Sequence, residues 1–333
     1  MILVTGGAGY IGSHYVLHER ARGSDVLVLD NLSRGHRAAV LDAPLIVGDL
    51  TDRGVLDRVF SNHSIDAVVH FAAFVYVGES MSNPGAYYEN NAGGTLALLE
   101  AMWDHGVARL VFSSSCATYG DPEYTPMDES HPQRPINPYG ESKLIGERML
   151  AAFARAHGLS FAVLRYFNAA GADPDGRIGE SHYPETHLVP LALQVAAGER
   201  QELTIFGSDY DTPDGTCIRD YVRVEDLVAA HALVLDRQRD GGGSMYFNLG
   251  TEHGPSVRQV IDACAHVIGR SIRVVGAPRE GDPPPARGQR HPRPRGARLG
   301  AAAHGPGRDH RHRLAMASVQ PLLTDPRART RPS

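Results

Sequence analysis

The segment that most constrains the fold is the glycine-rich run Thr5–Gly12, which directly follows the apolar residues Ile2–Val4. Gly6 permits a tight turn, Gly9 lets the backbone approach a pyrophosphate, and Gly12 lets a helix pack closely against a strand. The N-terminus of the helix that begins here supplies free N–H groups and a partial positive charge for phosphates. The pattern therefore predicts a strand, loop and helix that bind a dinucleotide.

Short apolar runs alternate with longer helical segments over roughly the first half of the chain. The runs are almost continuously apolar, which is typical of parallel strands covered by helices on both faces. This repetition predicts an α/β fold, a doubly wound parallel sheet of the Rossmann type, followed by a smaller mixed α/β lobe. The predicted strands are Ile2–Val4, Val26–Asp30, Leu45–Val47, Ala67–Phe71, Leu110–Ser113 and Ala162–Tyr166, and predicted helices include Asn90–His105 and Tyr139–His157.

Charge and cysteine content narrow the kinds of partner and compartment. The formal net charge of −5 over 333 residues argues against nucleic acid or an anionic membrane as the main partner. The three cysteines are far apart and form no Cys-x-x-Cys pair, so we expect neither a disulfide framework nor a metal site. No secretory signal or transmembrane helix is predicted, and the expected location is the cytoplasm.

Two acidic residues at strand ends indicate which dinucleotide binds. Asp30 ends the second predicted strand, where a carboxylate can bind the adenosine ribose hydroxyls. Because a carboxylate also repels a 2′-phosphate, the expected cofactor is NAD rather than NADP. Asp49 can either hydrogen-bond the adenine amino group or cap a helix over Thr51–Phe60, and the spacing leaves both open. The alternative for the whole pattern is a glycine-rich turn with an unrelated acid nearby.

Tyr139 and Lys143 stand four positions apart, so a helix places both side chains on one face. A tyrosine with a pKa of about 10 is a poor base at neutral pH. A neighbouring ammonium, with the positive nicotinamide of NAD⁺, is expected to lower that pKa and produce a general base. Leu110–Ser115 is a strand that ends in hydroxyls at the edge where α/β proteins bind ligands, so a serine there can bond the same substrate oxygen. A plain surface pair on a helix is the alternative.

In this order, the glycine motif, Ser113-Ser114-Ser115 and the Tyr139/Lys143 pair resemble the extended short-chain dehydrogenase/reductase family. Within it, the finer resemblance is to the UDP-glucose 4-epimerases and extends over residues 1–282. The motifs that carry this finer resemblance are Thr5–His14, Asp30–Ser33, His70–Ala73, Val77–Ser80, Tyr87–Asn91, Arg165–Asn168 and Ile218–Val222.

The resemblance implies a set of site residues and a quaternary structure. The implied catalytic residues are Ser115, Tyr139 and Lys143, and the implied assembly is a homodimer through two helices beside the sheet. The implied NAD contacts are Gly6, Gly9, Tyr10, Ile11, Gly12, Asp30, Asn31, Ser33, Asp49, Leu50, Phe71, Ala72, Ala73, Asn90 and Phe167. The implied contacts to a UDP-sugar substrate are Asn168, Leu188, Phe206, Arg219, Arg279 and Asp282.

Two of these substrate contacts also make chemical sense by residue type, and two positions depart from the family. The guanidinium groups of Arg219 and Arg279 match a pyrophosphate, although solvated surface arginines are the alternative. Val75 stands where related enzymes often carry a lysine that touches the cofactor, which weakens any contact expected there. His187 stands where asparagine is frequent, so its hydrogen bond is also less certain than the family's.

The implied activity is interconversion of UDP-galactose and UDP-glucose through a 4-keto sugar, with transient hydride transfer to bound NAD. A UDP-pentose (xylose or arabinose) 4-epimerase needs the same parts and stays open. Nucleotide-sugar 4,6-dehydratases carry an Asp-Glu pair just after the catalytic hydroxyl, whereas Cys116–Tyr119 contains no acid. A non-catalytic NAD-binding protein would be expected to lose Tyr139 or Lys143, unless an altered C-terminal segment abolishes the substrate lobe.

The C-terminal segment differs sharply from the rest of the chain. Residues 283–333 contain eleven Arg and nine Pro but no Lys, no Glu and two Asp, a net charge of +9 against −14 for residues 1–282. The resemblance stops after Asp282, and Trp103 is the only tryptophan, although related enzymes carry two tryptophan-bearing segments in this region. The predicted domains are an NAD-binding domain at 1–168, a nucleotide-sugar-binding lobe at 169–282 and an aberrant or disordered basic tail at 283–333.

Two interpretations of this tail are open, a disordered basic segment and translation in the wrong reading frame. Methionine has the single codon ATG and alanine codons begin with G, so Met316-Ala317 contains a tryptophan codon one base later. Read in that frame, Leu314–Pro321 can spell Trp-Arg-Trp-His-Arg-Ser-Asn-Pro, which is similar to the family's ending.

Overall fold

The chain forms two compact units within residues 1–251 and 254–277, which the computed structural model describes. The predicted tail over residues 283–333 lies outside these ranges. The predicted boundaries after residues 168 and 282 separate segments by the ligand that each is expected to bind, and this division stays a prediction. The first unit comprises Met1–Leu191 and Arg219–Pro255, and the second comprises Ala192–Ile218 and the described residues from Ser256 onwards.

A parallel sheet of seven strands forms the centre of the first unit. The described strands are β1 (Ile2–Thr5), β2 (Val26–Asp30), β3 (Leu45–Val47), β4 (Ala67–His70), β5 (Arg109–Ser113), β6 (Ser160–Tyr166), β7 (Asn168–Ala170), β8 (Leu203–Phe206), β9 (Tyr221–Arg223), β10 (Met245–Leu249) and β11 (Val274–Ala277). The order in the large sheet is β10-β6-β5-β4-β1-β2-β3, while β7 pairs with β9 and β8 with β11. This order confirms the predicted doubly wound α/β fold. From β1 to β3 successive strands add towards one edge of the sheet, and from β4 onwards they add towards the other edge. Sheets of this kind bind ligands at the carboxyl ends of the strands beside this switch point, here β1 and β4.

Helices connect the strands. The described ones are α1 (Tyr10–Ala21), α2 (Arg53–Asn62), α3 (Val77–Ser82), α4 (Pro84–Tyr87), α5 (Gly94–Asp104), α6 (Pro138–His157), α7 (Leu188–Ala197), α8 (Val224–Arg239) and α9 (Val257–Ile268), with a π-helical segment at Tyr88–Gly93 and 3₁₀ turns at Arg37–Val40 and Cys116–Thr118. The start of α6 is fixed by Asn137, whose side chain accepts a hydrogen bond from the Gly140 N–H at 2.8 Å. Of the described helices, none is both long and apolar enough to cross a lipid bilayer.

Both faces of the large sheet are buried. Ile2 and Val4 of β1 join one apolar cluster with residues of α1 and α8, whereas Leu3 joins a second cluster with α2, α5 and α6. Each of these three β1 side chains is at most 1% exposed. Because successive strand residues point to opposite faces, burial of both faces requires apolar residues without alternation.

Two features of the first unit were not predicted. The edge strand β10 pairs with β6, but four of its five residues are exposed or only partly buried, so its sequence carries no strong strand signal. The predicted helix from Asn90 lies partly in the π-helical segment, and α5 begins only at Gly94. Within that segment, Asn91 accepts a hydrogen bond from the Phe74 N–H at 2.8 Å and donates one to the Phe74 carbonyl at 3.0 Å. Tertiary hydrogen bonds of this kind accompany many π-helical turns at functional sites.

Gly6 brings the turn between β1 and α1 against the end of β4. Its φ is +73°, and a Cβ built there would lie 2.5 Å from the Ala72 N atom. A Cβ on Gly12 would lie 2.2 Å from the Gly6 carbonyl oxygen. Packing alone therefore requires glycine at both positions.

Gly6→Ala is expected to destabilise the protein by more than the ordinary penalty for a left-handed backbone. Gly23 provides a matched control, since its φ is +80° but nothing lies within 4 Å of a built Cβ. Gly23→Ala should lower the free energy of unfolding by about 1–2 kcal/mol. Gly6→Ala should cost at least about 2 kcal/mol more, because the new methyl group collides with backbone atoms. Urea unfolding measures both values, and equal losses would contradict this packing argument.

Candidate active site

A cleft opens at the carboxyl ends of β1 to β4 in the first unit. Its position is the one where doubly wound sheets bind dinucleotides. Eleven of the fifteen predicted cofactor contacts line it, namely Gly6, Gly9, Asp30, Asn31, Ser33, Asp49, Leu50, Phe71, Ala72, Ala73 and Asn90.

Asp30 is fixed directly to the glycine loop. Its Oδ2 accepts a hydrogen bond from the Ala8 N–H at 2.9 Å, and its Oδ1 accepts one from the Leu32 N–H at 2.8 Å. Each carboxylate oxygen has a further lone pair that can accept from a ribose hydroxyl. A Cβ would not fit at Gly6 and would crowd the loop at Gly9, so both glycines leave the backbone open to a ligand. Together with Asp30, the two glycines fit a dinucleotide that carries a free 2′-hydroxyl.

Asp49 lies in the wall of the cleft and does not cap a helix. The cap of α2 is Asp52, whose side chain accepts from the Val55 N–H. Asp49 accepts hydrogen bonds from Asn31 Nδ2 at 2.7 Å and from the Thr51 N–H at 2.8 Å. Burial raises the pKa of Asp49, but these hydrogen bonds outweigh burial and lower it overall. Of the two interpretations that spacing left open, the helix-cap interpretation is wrong.

The other four predicted cofactor contacts lie outside the lining of this cleft. Tyr10, Ile11 and Gly12 form the first turn of α1, and the Tyr10 hydroxyl donates to the Gly171 carbonyl at 2.6 Å. Phe167 follows β6, and its ring lies 3.5 Å from a Cβ built on Gly250. The first turn of α1 still presents its N-terminus beside Gly9, where it can act on a phosphate.

Arg34 also lines the cleft and was not predicted. Its guanidinium lies 5.3 Å from the ring centre of Phe74 and 5.4 Å from that of Tyr76, and it forms a 2.5 Å ion pair with Glu79. These partners follow β4, far from Arg34 in sequence. The sequence therefore offered no local signal for this contact.

The three predicted catalytic residues meet at the carboxyl end of β5. Tyr139 lies in the first turn of α6, and the Ser115 side chain is near enough to act on its hydroxyl as a hydrogen-bond partner. One turn later, Lys143 Nζ donates to the Ser113 carbonyl at 2.8 Å. The Ser115 Oγ also accepts from the Ala117 N–H at 3.1 Å, which holds the serine in place.

Gly140 permits this close approach of α6 to the segment after β5. A Cβ built on Gly140 would lie 2.3 Å from the Ala117 carbonyl oxygen. On the other side, Asn90 of the cleft donates to Asn91 Oδ1 at 2.9 Å, and Asn91 Nδ2 donates to Ser142 Oγ at 3.0 Å. A chain of hydrogen bonds thus connects the dinucleotide cleft with the helix that carries Tyr139. Sequence analysis did not identify Gly140, because its requirement arises from a tertiary contact.

Burial dominates the electrostatics of the catalytic pair. Burial lowers the pKa of Lys143 to about 7, although the Glu147 carboxylate acts in the opposite direction. Burial raises the pKa of Tyr139, against the hydrogen bond with Ser115, which lowers it. The polypeptide alone therefore does not lower the pKa of Tyr139 as predicted, because desolvation of the phenolate outweighs its neighbours.

Glu147 organises a buried polar network that sequence analysis missed. Its carboxylate accepts from Ser114 Oγ at 2.6 Å, from Arg165 Nε at 3.0 Å and from Arg165 Nη2 at 2.7 Å. The two charged side chains are only 3% and 4% exposed. One signal was available, because Arg165 interrupts the otherwise apolar strand β6 and a buried charge requires a partner.

Two predicted substrate contacts of the first unit lie close to this site. Asn168 begins β7, and its side chain donates to the Asp220 carbonyl at 3.0 Å. Burial raises the pKa of the Cys116 thiol to about 11, while the positive charge of Arg219 acts to lower it. Arg219 is therefore near the residue that follows Ser115.

The predicted substrate contacts are divided between the two units and the residues that the structure does not describe. Leu188 begins α7 in the first unit, whereas Phe206 ends β8 in the second unit and is 61% exposed. Arg279 and Asp282 lie outside the described residues. These assignments stay predictions.

Comparison with known proteins identifies relatives of the chain. The model of the NAD dependent epimerase/dehydratase family matches residues 2–250. The UDP-glucose 4-epimerase of Halalkalibacterium halodurans is 54% identical over 283 residues, which is 85% of this chain and 85% of that protein. The crystal structure of UDP-glucose 4-epimerase from Brucella ovis in complex with NAD is 48% identical, with a TM-score of 0.82 over 85% of this chain and 87% of that one.

A further solved structure is similar over the same extent. The UDP-glucose-4-epimerase from Stenotrophomonas maltophila, with bound NAD and formylated UDP-arabinopyranose, is 40% identical and has a TM-score of 0.81 over 84% of this chain and 86% of that one. The family match includes every residue that lines the cleft or meets at the end of β5. The chain therefore belongs to the NAD dependent epimerase/dehydratase family, and NAD is the cofactor that its cleft fits.

Proposed function

We propose that the protein is a UDP-glucose 4-epimerase, an isomerase that interconverts UDP-galactose and UDP-glucose. The observation that carries the proposal is the contact of Tyr139 with Ser115 at the sheet edge that also forms the dinucleotide cleft. Such an enzyme needs a base for the sugar 4-hydroxyl beside a hydride acceptor, and this edge supplies positions for both. All three cysteines are free, which supports the reducing cytoplasm as its location.

In the proposed reaction, the Tyr139 phenolate takes the proton of the sugar 4-hydroxyl while Ser115 hydrogen-bonds the same oxygen. When held in the cleft by the glycine loop and Asp30, NAD would supply a reversible acceptor for the C4 hydride. The sugar passes through a 4-keto form, whose carbonyl oxygen Ser115 and Tyr139 hold. Arg219 and Arg279 are proposed to bind the diphosphate while the keto sugar turns its other face toward the cleft. Return of the proton from Tyr139 completes inversion at C4.

Lys143 is proposed to stabilise the phenolate form of Tyr139. Its ammonium lies one helical turn from Tyr139 and is held by the Ser113 carbonyl at 2.8 Å. Because burial lowers the pKa of Lys143 to about 7, the charge on this group changes near neutral pH. A proton on Lys143 favours the loss of a proton from its neighbour, since opposite charges stabilise each other in a buried site.

Tyr139→Phe should leave NAD bound and reduce turnover of UDP-galactose by about 10²- to 10⁴-fold, because it removes the general base. The assay follows UDP-glucose formation without added NAD, and cofactor content is measured after denaturation. Tyr15→Phe is a matched control, since Tyr15 is fully buried and its hydroxyl has no hydrogen-bond partner among the described residues. The control should retain activity. Full activity of Tyr139→Phe would refute the assignment.

The same assay separates this proposal from its two alternatives. The Stenotrophomonas structure holds a UDP-pentose derivative, which makes UDP-xylose and UDP-arabinose the substrates to compare. A higher kcat/KM for the pentoses than for the hexoses would favour a UDP-pentose 4-epimerase. NAD retention without turnover of any of these sugars would favour a non-catalytic NAD-binding protein.

We also propose that the segment from about residue 283 is translated out of frame. The Halalkalibacterium relative matches 85% of this chain and is itself covered to 85%, so a similar share of each chain lies outside the matched region. The +9 charge of residues 283–333 supports the same proposal, as does the tryptophan codon that Met316-Ala317 must contain one base later.

Sequencing the gene tests this proposal directly. The codons of Leu314–Pro321 should read Trp-Arg-Trp-His-Arg-Ser-Asn-Pro one base later, and a single-base insertion or deletion should lie upstream. Codons that cannot encode this eight-residue sequence in the shifted frame would contradict the proposal.

For quaternary structure, we propose a homodimer formed through α5 and α6. Leu96 and Trp103 lie seven positions apart on α5 and are 39% and 52% exposed, so one helix face presents two large apolar side chains to solvent. The Trp103 ring packs on His157 of α6, with ring centres 4.1 Å apart. The exposed apolar surface therefore extends from one helix to the other.

Trp103→Glu should convert the dimer to a monomer, because a charge buried at an apolar interface is costly. Light scattering coupled to gel filtration measures the mass. Leu233→Glu on α8 is the control, since Leu233 is 51% exposed but lies on another helix. A monomeric native protein, or a Trp103→Glu variant of unchanged mass, would contradict the proposed interface.

A further inference from the structure

Four potential metal ligands meet in the first unit, in the segment that precedes α7. Glu180, His182, Glu185 and His187 follow the spacing Glu-x-His-x-x-Glu-x-His. Each offers one donor atom, and the four donors lie within 4.8 Å of one another. None of these residues lines the dinucleotide cleft or belongs to the Ser115, Tyr139 and Lys143 site.

The distances between these donors match the ligand shell of a small divalent ion. His187 Nδ1 lies 2.9 Å from Glu180 Oε1 and 3.0 Å from Glu185 Oε1. His182 Nδ1 lies 3.4 Å from Glu180 Oε1 and 3.7 Å from Glu185 Oε2. Zinc bonds to histidine nitrogen and carboxylate oxygen of about 2.0–2.2 Å place neighbouring tetrahedral ligands roughly 3.3–3.6 Å apart. The four measured separations therefore lie within about half an ångström of those in a tetrahedral shell.

The two carboxylates of the cluster are buried and favour the binding of a cation. The Glu180 and Glu185 side chains are only 9% and 8% exposed, although their carboxylates lie side by side. His182 Nδ1 is buried and has no hydrogen-bond partner among the described residues. In the neutral tautomer protonated at Nε2, this buried nitrogen offers a lone pair that a cation can accept.

Two aromatic rings enclose one side of the cluster. Tyr10 and Tyr76 pack edge-on against His182, with ring centres 6.2 Å and 6.0 Å away.

We propose that Glu180, His182, Glu185 and His187 bind a divalent transition-metal ion, for which Zn²⁺ is the best match. Two imidazoles and two carboxylates suit zinc, and a +2 ion neutralises the two carboxylates while both histidines are neutral. The protein supplies all four ligands of a tetrahedral shell, so the role of the ion is structural rather than catalytic. The ion fixes the segment between Tyr10, Tyr76 and the start of α7, where the predicted substrate contact Leu188 follows His187.

The competing arrangement is an ion-pair network without metal. Burial lowers the pKa of His187, but Glu180 and Glu185 outweigh burial and raise it overall, so a protonated His187 can bridge the two carboxylates. A zinc site requires both histidines to be neutral and releases that proton. Metal binding therefore distinguishes the two arrangements.

The test uses the full chain expressed without a polyhistidine tag. Metal content is measured by mass spectrometry after dialysis against Zn²⁺, and affinity by competition with a chelator. Four further histidines lie beyond residue 282, so stoichiometry alone does not locate the ion. The variants are therefore His182→Ala/His187→Ala, the near-isosteric Glu185→Gln, and His266→Ala as a control on the exposed side of α9.

The proposal predicts one tightly bound zinc per native chain and in the His266→Ala control. The double variant should lose affinity by more than about 100-fold, beyond the effect of an outer-shell change. Glu185→Gln should also weaken binding while NAD content and circular dichroism stay native. Substituted Co²⁺ should give intense visible bands of tetrahedral coordination in the native chain and not in the double variant. Zinc affinity that is unchanged in both variants, or no zinc retained by the native chain, would overturn the proposal.

Discussion

A buried row of charges along α6 determines where the proposed catalytic groups lie. Lys143 and Glu147 stand one turn apart on the face that packs against β5, where they meet the Ser113 carbonyl and Arg165 of β6. Removing either partner would leave an uncompensated charge inside the protein, which is strongly destabilising. The helix can therefore dock only where both charges are satisfied. That docking places Tyr139, one turn earlier, beside Ser115.

The same packing destabilises the charged form of Lys143. Its ammonium has one carbonyl partner at 2.8 Å and the ring of Phe112 at 5.1 Å, and burial lowers its pKa to about 7. Glu147 and Arg165, in contrast, are fully paired with each other. Groups that are stabilised less well than their neighbours, in an otherwise consistent structure, are characteristic of functional sites. Gly140 and Gly146 allow the arrangement, because a Cβ on Gly146 would lie 2.7 Å from the Phe112 ring.

Local patterns predicted the parts of the fold that local forces determine. The strands β1 and β2 could be predicted because burial on both faces leaves a continuous apolar run. The glycine loop could be predicted because a Cβ does not fit at Gly6 or Gly12. The strand β10 could not, since its partner β6 lies some eighty residues earlier and its own residues are mostly half-exposed. The pairing of Glu147 with Arg165 likewise depends on which strand lies behind α6. The acids and histidines before α7 were visible in sequence, but their burial was not.

Cofactor binding and substrate binding depend on different stretches of this chain. Every residue that lines the cleft lies at or before Asn90, whereas the predicted sugar contacts begin at Asn168 and extend to Asp282. The family match ends at residue 250, and the change in composition begins at residue 283. We therefore expect a change within residues 283–333 to affect substrate binding before cofactor binding, because the cleft wall and the buried charges of α6 have their own partners. The proposed out-of-frame segment would then leave NAD bound while turnover of the sugar falls.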